Sequence, residues 1–98
     1  MELQVNYFNN YSIVCLEGQF LNTKQMKVIN DIVDELFNSD KKNIVLDFKK
    51  ISYISSLVIA YLIRLCLDLS EQNGKLAITN VNDSIQEVFN ITKVGYIH

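Results

Sequence analysis

The stretch NIVLDFKKISYISSLVIAYL, residues 43–62, decides the fold of this 98-residue chain. Its first six residues form a short apolar run with Val and Ile, which predicts a central strand over Asn43–Phe48. A nearly apolar run then begins at the serine pair, Ser55 and Ser56. Polar residues recur along this run at helical spacing, which predicts a helix over residues 56–72. A buried strand followed closely by a helix indicates an α/β domain.

A hairpin and a first helix are predicted before this stretch. Leu3–Tyr7 alternates between apolar and polar residues, as a half-buried strand does, and Ser12–Phe20 is predicted to be its antiparallel neighbour. Asn9-Asn10 between them is typical of a turn. Asn22 lies three residues before Gln25, the spacing of a capping box, which predicts the start of a helix. Apolar residues at helical spacing continue that helix towards the central strand.

Three further elements are predicted after the second helix. Asn73-Gly74 should end that helix, with the glycine in the left-handed conformation. The elements expected next are a strand over Lys75–Val81, a helix from Asn82 with Ile85, Val88 and Phe89 on one face, and a short strand over Val94–Ile97. We therefore expect residues 1–98 to form one α/β domain of order ββαβαβαβ, with a mixed sheet of four to five strands and about three covering helices.

Composition and charge favour a soluble cytoplasmic protein. Apolar residues make up 49% of the chain, enough for a core, and the nine Lys and Arg residues are scattered at a formal charge of −2. This pattern indicates no nucleic-acid surface. The start of the chain does not resemble a signal peptide, and the longest apolar run, residues 57–69, is too short to insert across a membrane. Cys15 and Cys66 are expected to be buried free thiols.

Catalysis is not indicated by the residue types present. The only histidine is the last residue, His98, so we expect no histidine-based active site, no metal site and no cofactor. Asp47 lies at the end of the predicted central strand, where ligands often bind in α/β domains. It keeps a small enzyme as an alternative. Lys49 and Lys50 beside it are predicted to form a solvated turn.

The serine pair is the feature most informative about function. Serine is a favoured helix N-cap, so one of the two should cap the second helix, and the sequence does not say which. Leu57 lies seven residues before Arg64, and Tyr61 lies seven before Asp68, so these side chains should share one face. This spacing predicts an exposed apolar patch near Ser56 that contacts a partner, unless a loop or the N-terminal strand covers it. A phosphate on a first-turn serine would leave the helix intact, because helix N-termini stabilise negative charge.

Two segments resemble the STAS domain found in bacterial anti-sigma-factor antagonists. One is the stretch 43–62 quoted above, and the other is NGKLAITNVNDSIQEVFNITKV, residues 73–94. Val14–Gly18 is also similar to the family's second strand with its glycine, and Val88-Phe89 to the apolar pair of its third helix. The resemblance covers nearly the whole chain and implies the STAS fold.

The family's signature is an Asp-Ser-Ser/Thr-Gly-Leu loop in which the serine after the aspartate accepts phosphate. On this chain the motif falls on residues 55–59 and implies Ser56 as the phosphoacceptor. Its aspartate, second hydroxyl and glycine are replaced by Ser55, Leu57 and Val58. The family's Gly-Glu-Leu-Asp pattern becomes Gly-Gln-Phe-Leu at residues 18–21 and loses both acids.

The resemblance implies an interaction protein rather than an enzyme. The unphosphorylated domain would bind an anti-sigma factor, often a serine kinase related to histidine-kinase ATPases, and phosphorylation of Ser56 would switch it off. The implied contact residues are Asn22, Ser55, Ser56, Leu57, Tyr61 and Arg64. The altered motif leaves open a second hypothesis, a STAS adaptor or scaffold subunit of a signalling or transport assembly that is never phosphorylated. The sequence gives neither the identity of the partner nor the oligomeric state.

Overall fold

The computed structural model describes residues 1–83, 85 and 86. Within them the order of elements is the predicted one up to the fourth strand. The elements are β1 (Glu2–Tyr7), β2 (Ser12–Phe20), α1 (Thr23–Asn38), β3 (Asn43–Ile54), α2 (Ser56–Glu71) and β4 (Lys75–Thr79). The α/β class predicted from the sequence is confirmed, with a four-stranded mixed sheet and two helices in the described part.

The four strands lie in the order β1-β2-β3-β4. β1 is antiparallel to β2, while β2, β3 and β4 are parallel to one another. Both helices pack on the same face of the sheet, since the Tyr61 hydroxyl of α2 donates a hydrogen bond to the Met26 carbonyl of α1. The side chains that are almost fully enclosed between sheet and helices are Val14, Leu16, Phe20, Ile29, Ile44, Leu46, Phe48, Val58, Leu62, Leu69 and Ile78.

The third strand is twice as long as predicted. β3 continues for six residues past Phe48, so Asp47 lies inside the strand rather than at its end. Lys49 and Lys50 belong to the strand and do not form a turn, although both side chains are exposed. Two register shifts between β2 and β3 place buried residues three apart, at Ile51 and Ile54. The irregularity conceals the alternation by which a strand is recognised in a sequence.

Helix α2 ends one residue earlier than predicted. The residue after it that takes the left-handed backbone conformation is Asn73 and not Gly74. Asn73 has φ of 62°, while Gly74 lies outside that region. Gly74 is required for space instead. A Cβ there would lie 2.5 Å from Cζ of Phe37 and 2.8 Å from the Lys42 carbonyl oxygen. The glycine therefore allows the α2–β4 connection to pack against the end of α1.

The chain after β4 is described only in part. β4 ends at Thr79, two residues before the predicted end, and Asn80 takes φ of 59°. The Asn82 side chain accepts a hydrogen bond from the Ile85 N–H at 2.9 Å, and its carbonyl accepts from the Gln86 N–H. A helical turn thus begins where the third helix was predicted. Val88, Phe89 and the predicted strand 94–97 lie outside the described residues.

The two cysteines are free thiols, as expected, but neither is fully buried. Cys15 lies on β2 and Cys66 on α2, and both are half-buried. Burial raises the pKa of the Cys66 thiol. That thiol is therefore neutral at physiological pH and packs as a small apolar side chain.

Candidate functional site

The two serines have different structural roles at the start of α2. Ser55 is the N-cap: its Oγ accepts a hydrogen bond from the Val58 N–H at 3.2 Å. The same hydroxyl donates to the Leu21 carbonyl at 3.0 Å, and the Ser55 N–H donates to the Phe20 carbonyl. Ser55 therefore joins α2 to the end of β2. Which serine caps the helix, undecided from the sequence, is thus clear from the structure.

Ser56 is the first residue of α2, and its side chain is exposed. Within the described part of the chain, its hydroxyl takes part in no hydrogen bond, because Ser55 has taken the cap. The first turn of α2 carries no acidic residue. A free hydroxyl at the positive end of a helix dipole is a position where an added phosphate is stabilised.

Three residues next to the serine pair, in sequence or through its hydrogen bonds, have exposed apolar side chains. Leu57 follows Ser56 and is 54% exposed, and Tyr53, two residues before Ser55, is 55% exposed. Leu21, whose carbonyl accepts the Ser55 hydroxyl, is 36% exposed. We call Leu21, Tyr53 and Leu57 the apolar rim of the site. Among residues 1–83, 85 and 86, neither a loop nor β1 covers Leu57, which was the alternative left open by the sequence.

Tyr61, which the sequence placed on the exposed patch, is half-buried against α1. Its hydroxyl donates to the Met26 carbonyl at 3.3 Å and contacts the Asn30 side chain. Its ring meets the Phe20 ring edge-on, with centroids 6.5 Å apart. Burial, and secondarily the negative charge of Asp34, raises the pKa of the Tyr61 phenol. Tyr61 thus anchors α2 to α1, with only part of its surface available to a partner.

The remaining predicted contact residues, Arg64 and Asn22, are both exposed. Arg64 is exposed and pairs with Asp68 one turn later, with Nε 3.1 Å from Oδ1. Asn22 is the N-cap of α1, and its Oδ1 accepts from the Gln25 N–H at 3.1 Å. Gln25 completes the predicted capping box by accepting from the Asn22 N–H at 3.2 Å. Asn22 is exposed, so it can be contacted, but its side-chain oxygen already serves the cap.

The fold and the position of the serine pair agree with the match to protein families. A model of the STAS domain matches residues 4–97. The chain belongs to the STAS domain family. No curated protein sequence matches this STAS domain.

Solved structures share the fold of this STAS domain at low sequence identity. One is the anti-sigma factor antagonist SpoIIAA in its unphosphorylated form, with a TM-score of 0.74, 15% identity, and coverage of 92% of this chain and 83% of that one. Another is the Bacillus cell fate determinant SpoIIAA in the phosphorylated form, with a TM-score of 0.75, 16% identity, and coverage of 96% and 86%. A Shewanella loihica protein with a SpoIIAA-like fold has a TM-score of 0.61, 8% identity, and coverage of 94% and 75%.

Asp47, the residue that kept an enzyme as an alternative, has a structural role in this STAS domain. Its Oδ1 accepts hydrogen bonds from the Lys49 N–H and from the Asn80 side chain, each at 3.0 Å. The carboxylate thereby ties β3 to the end of β4. Within residues 1–83, 85 and 86, no three His, Cys, Asp or Glu side chains are grouped to hold a metal ion. In the same residues, no helix is long and apolar enough to cross a membrane.

Sequence reasoning missed two residues of the apolar rim. Tyr53 and Leu21 lie at the ends of β3 and β2, and the pairing of Phe20 with Ile54 brings those ends together. A strand ending at Phe48 would have left Tyr53 in a loop. The sequence signal is the aromatic Tyr53 beside the apolar Ile54, and it can be interpreted only once β3 is known to continue to Ile54.

Proposed function

We propose that this STAS domain is an anti-sigma-factor antagonist. It binds an anti-sigma factor of the serine-kinase type in the cytoplasm, and phosphorylation of Ser56 ends that binding. The activity is binding and not catalysis, and it needs no cofactor. The observation that carries the proposal is that the two serines have different roles. The Ser55 side chain makes two hydrogen bonds and its main chain two more, while the Ser56 side chain is exposed and makes none within the described residues.

The docking surface consists of the apolar rim, Ser56, and the exposed side of α2 as far as Arg64. The rim side chains are each at least 36% exposed, so a partner can remove their apolar surface from water, which favours association. Tyr61 supplies a rigid, partly exposed aromatic surface at the middle of this face, because its hydroxyl and ring are both held. Asn22 and Ser55 lie at its border.

Phosphorylation of Ser56 would act on binding and not on folding. A phosphate brings nearly two negative charges at neutral pH. In the free domain those charges sit at the helix N-terminus, which stabilises them, and no acidic residue of the first turn repels them. In the complex the same charges would have to be buried against apolar side chains, which costs several kcal/mol for each charge. The fold persists while the partner is released.

A kinase assay combined with binding measurements tests this proposal. The domain is incubated with the candidate anti-sigma kinase and ATP, and mass spectrometry locates the phosphate, which we expect on Ser56. Ser56→Asp should weaken binding to the unmodified partner, whereas Ser56→Ala should bind as well as the wild type. Ser70→Asp is the matched control, because Ser70 is exposed on the last turns of the same helix. Phosphate at another residue would refute the switch.

A second candidate function is a constitutive adaptor or scaffold subunit of the same fold. It is favoured by Val58, which occupies the glycine position of the motif and is 0% exposed. This turn is a packed part of the helix, and a kinase that requires a pliable loop would meet a stiff one. The two functions differ in one measurement. An adaptor would bind its partner equally well with Ser56→Asp, while Leu57→Lys would disrupt binding in both cases.

A further inference from the structure

The outer edge of β1 is unpaired in the part of the chain that the structure describes. β1 lies at the end of the sheet and pairs with β2 in a regular register without a bulge. The Phe8 N–H donates to the Tyr11 carbonyl, so Phe8 and Tyr11 form a hydrogen-bonded pair. Hydrogen-bonded and non-hydrogen-bonded pairs alternate along an antiparallel ladder, so the even-numbered residues of β1 bond to β2. The N–H and C=O groups of Leu3, Val5 and Tyr7 therefore point away from β2.

This edge lacks the features by which edge strands avoid pairing with another chain. Such features are lysines, prolines and bulges, and the strand ELQVNY contains none of them. Its only charge is on Glu2, at one end. Leu3 and Val5 are half-buried and Tyr7 is 61% exposed. These three side chains lie on the helix-covered face of the sheet, so the core continues to an edge where it is incompletely covered.

We propose that β1 pairs in antiparallel fashion with β1 of a second copy of this chain. The two four-stranded sheets then become one eight-stranded sheet with a two-fold axis at its centre. Val5 lies on the axis, opposite Val5 of the partner subunit. Leu3 faces Tyr7 of the partner subunit, and the reverse pair is equivalent. All three outward-pointing residues are then in bonded pairs, each of which exchanges two main-chain hydrogen bonds.

The direction of the side chains and the bounds of the strand together fix this register. The main-chain N–H and C=O groups that point away from β2 belong to odd-numbered residues. Each odd-numbered residue must therefore pair with an odd-numbered residue of the partner if the apolar side chains are to stay on one face of the sheet. Centring on Gln4 would place Tyr7 opposite residue 1, outside the strand. Centring on Val5 covers the exposed Tyr7 ring with Leu3 and brings the amides of Gln4 and Asn6 together on the other face. No like charges meet along the strand.

The contact is small, and it leaves the serine site free. Pairing of two short strands buries less than about 1,000 Å², so the dimer is weak and its population depends on concentration. Ser56 follows β3, which β2 separates from β1. A dimer therefore presents two docking surfaces at once, and a partner with two matching sites would gain avidity without any new contact.

Analytical ultracentrifugation with charge variants at the two-fold axis tests the pairing. The wild-type domain should form dimers as its concentration rises towards about 1 mM, the range of weak specific association. Val5→Lys and Val5→Glu should each be monomeric, because like charges then meet across the axis. An equimolar mixture of the two should recover the dimer, which unfolded variants could not do. A wild-type monomer throughout the range, or a mixture no better than either variant alone, would overturn the proposal.

Disulfide trapping checks the register independently. In a Cys15→Ser, Cys66→Ser background, Val5→Cys should crosslink on mild oxidation, since directly opposed bonded residues have Cα atoms about 5.5 Å apart. Tyr7→Cys is the matched control. That side chain is more exposed, but the two copies of residue 7 lie four residues apart along the strand, about 13 Å. Equal crosslinking of both variants, or none of Val5→Cys, would contradict the pairing.

Discussion

Replacing Ser55 by alanine should destabilise the domain, whereas replacing Ser56 should not. The two residues are adjacent and chemically identical, so any difference between them arises from position alone. Ser55 Oγ accepts the Val58 N–H and donates to the Leu21 carbonyl. Ser56 has an exposed side chain at the first helical position. The comparison therefore tests whether Ser55 caps the helix while Ser56 has no structural role, which is the difference on which the proposed function rests.

The magnitude follows from the bonds that each substitution removes. Loss of a serine N-cap costs about 1 kcal/mol, and the second hydrogen bond of the same hydroxyl contributes roughly 0.5–1 kcal/mol. Ser55→Ala should therefore lower the free energy of unfolding by about 1.5–2 kcal/mol. For a domain of this size that corresponds to a decrease in Tm of roughly 10 °C. Ser56→Ala should stay within about 0.5 kcal/mol of the wild type.

Urea unfolding followed by circular dichroism measures both changes, provided that the m-value stays constant. Ser70→Ala is the matched control for loss of an exposed serine from α2. It should behave like Ser56→Ala. If Ser56→Ala were as destabilising as Ser55→Ala, Ser56 would have a structural role. Its hydroxyl would not then be free for a kinase.

Three further changes address the packing of the helices. Gly74→Ala should lower the free energy of unfolding by about 1–3 kcal/mol, because the new Cβ meets the Phe37 ring. Thermal unfolding measures this change, and an unchanged Tm would contradict it. Asn73→Gly should leave the free energy of unfolding unchanged or raise it, while Asn73→Ala should lower it by about 1 kcal/mol, because φ of Asn73 is 62°. The midpoints of urea unfolding of the two variants measure this difference. The raised pKa of Tyr61 means that the folded state keeps the phenol neutral after the unfolded state has ionised. Its contribution to stability is complete below pH about 10 and is lost as pH rises further; Tyr61→Phe should weaken the pH dependence of the unfolding free energy above that value, and parallel curves would contradict the assignment.

The sequence predicts most of the fold because local signals agree with the packing. Hydrogen bonds or periodicity within a few residues fix three of these features: the capping box at Asn22, the boundaries of β2 and the start of α2. The length of β3 is not a local property. Its second half stays in the sheet because β2 continues beside it, with shifts of register that move buried residues from every second to every third position.

The prediction of the candidate site used the same local signals, and it missed the residues that depend on the pairing of β2 with β3. Ser56 and Leu57 follow from helix geometry, which the sequence shows directly. Leu21 and Tyr53 reach the site through the pairing of β2 with β3, a contact between residues more than thirty apart in the chain. Tyr61 was placed correctly on the helix, but its hydrogen bonds to α1 depend on how the two helices cross. A single sequence does not contain that angle.

Two departures from the family's phosphorylation motif, Ser55 and Val58, fall on positions with structural roles in this chain. Serine caps a helix about as well as aspartate does, so Ser55 supplies the cap that the motif's aspartate would supply. The exchange also removes a negative charge that would repel a phosphate on the next residue. Val58 replaces a flexible glycine by a side chain that is 0% exposed and fills the core. These two substitutions therefore build a firmer turn under Ser56 and leave its side chain exposed. A turn of this kind would stay folded with or without a phosphate on Ser56, so the two candidate functions differ in binding and not in stability.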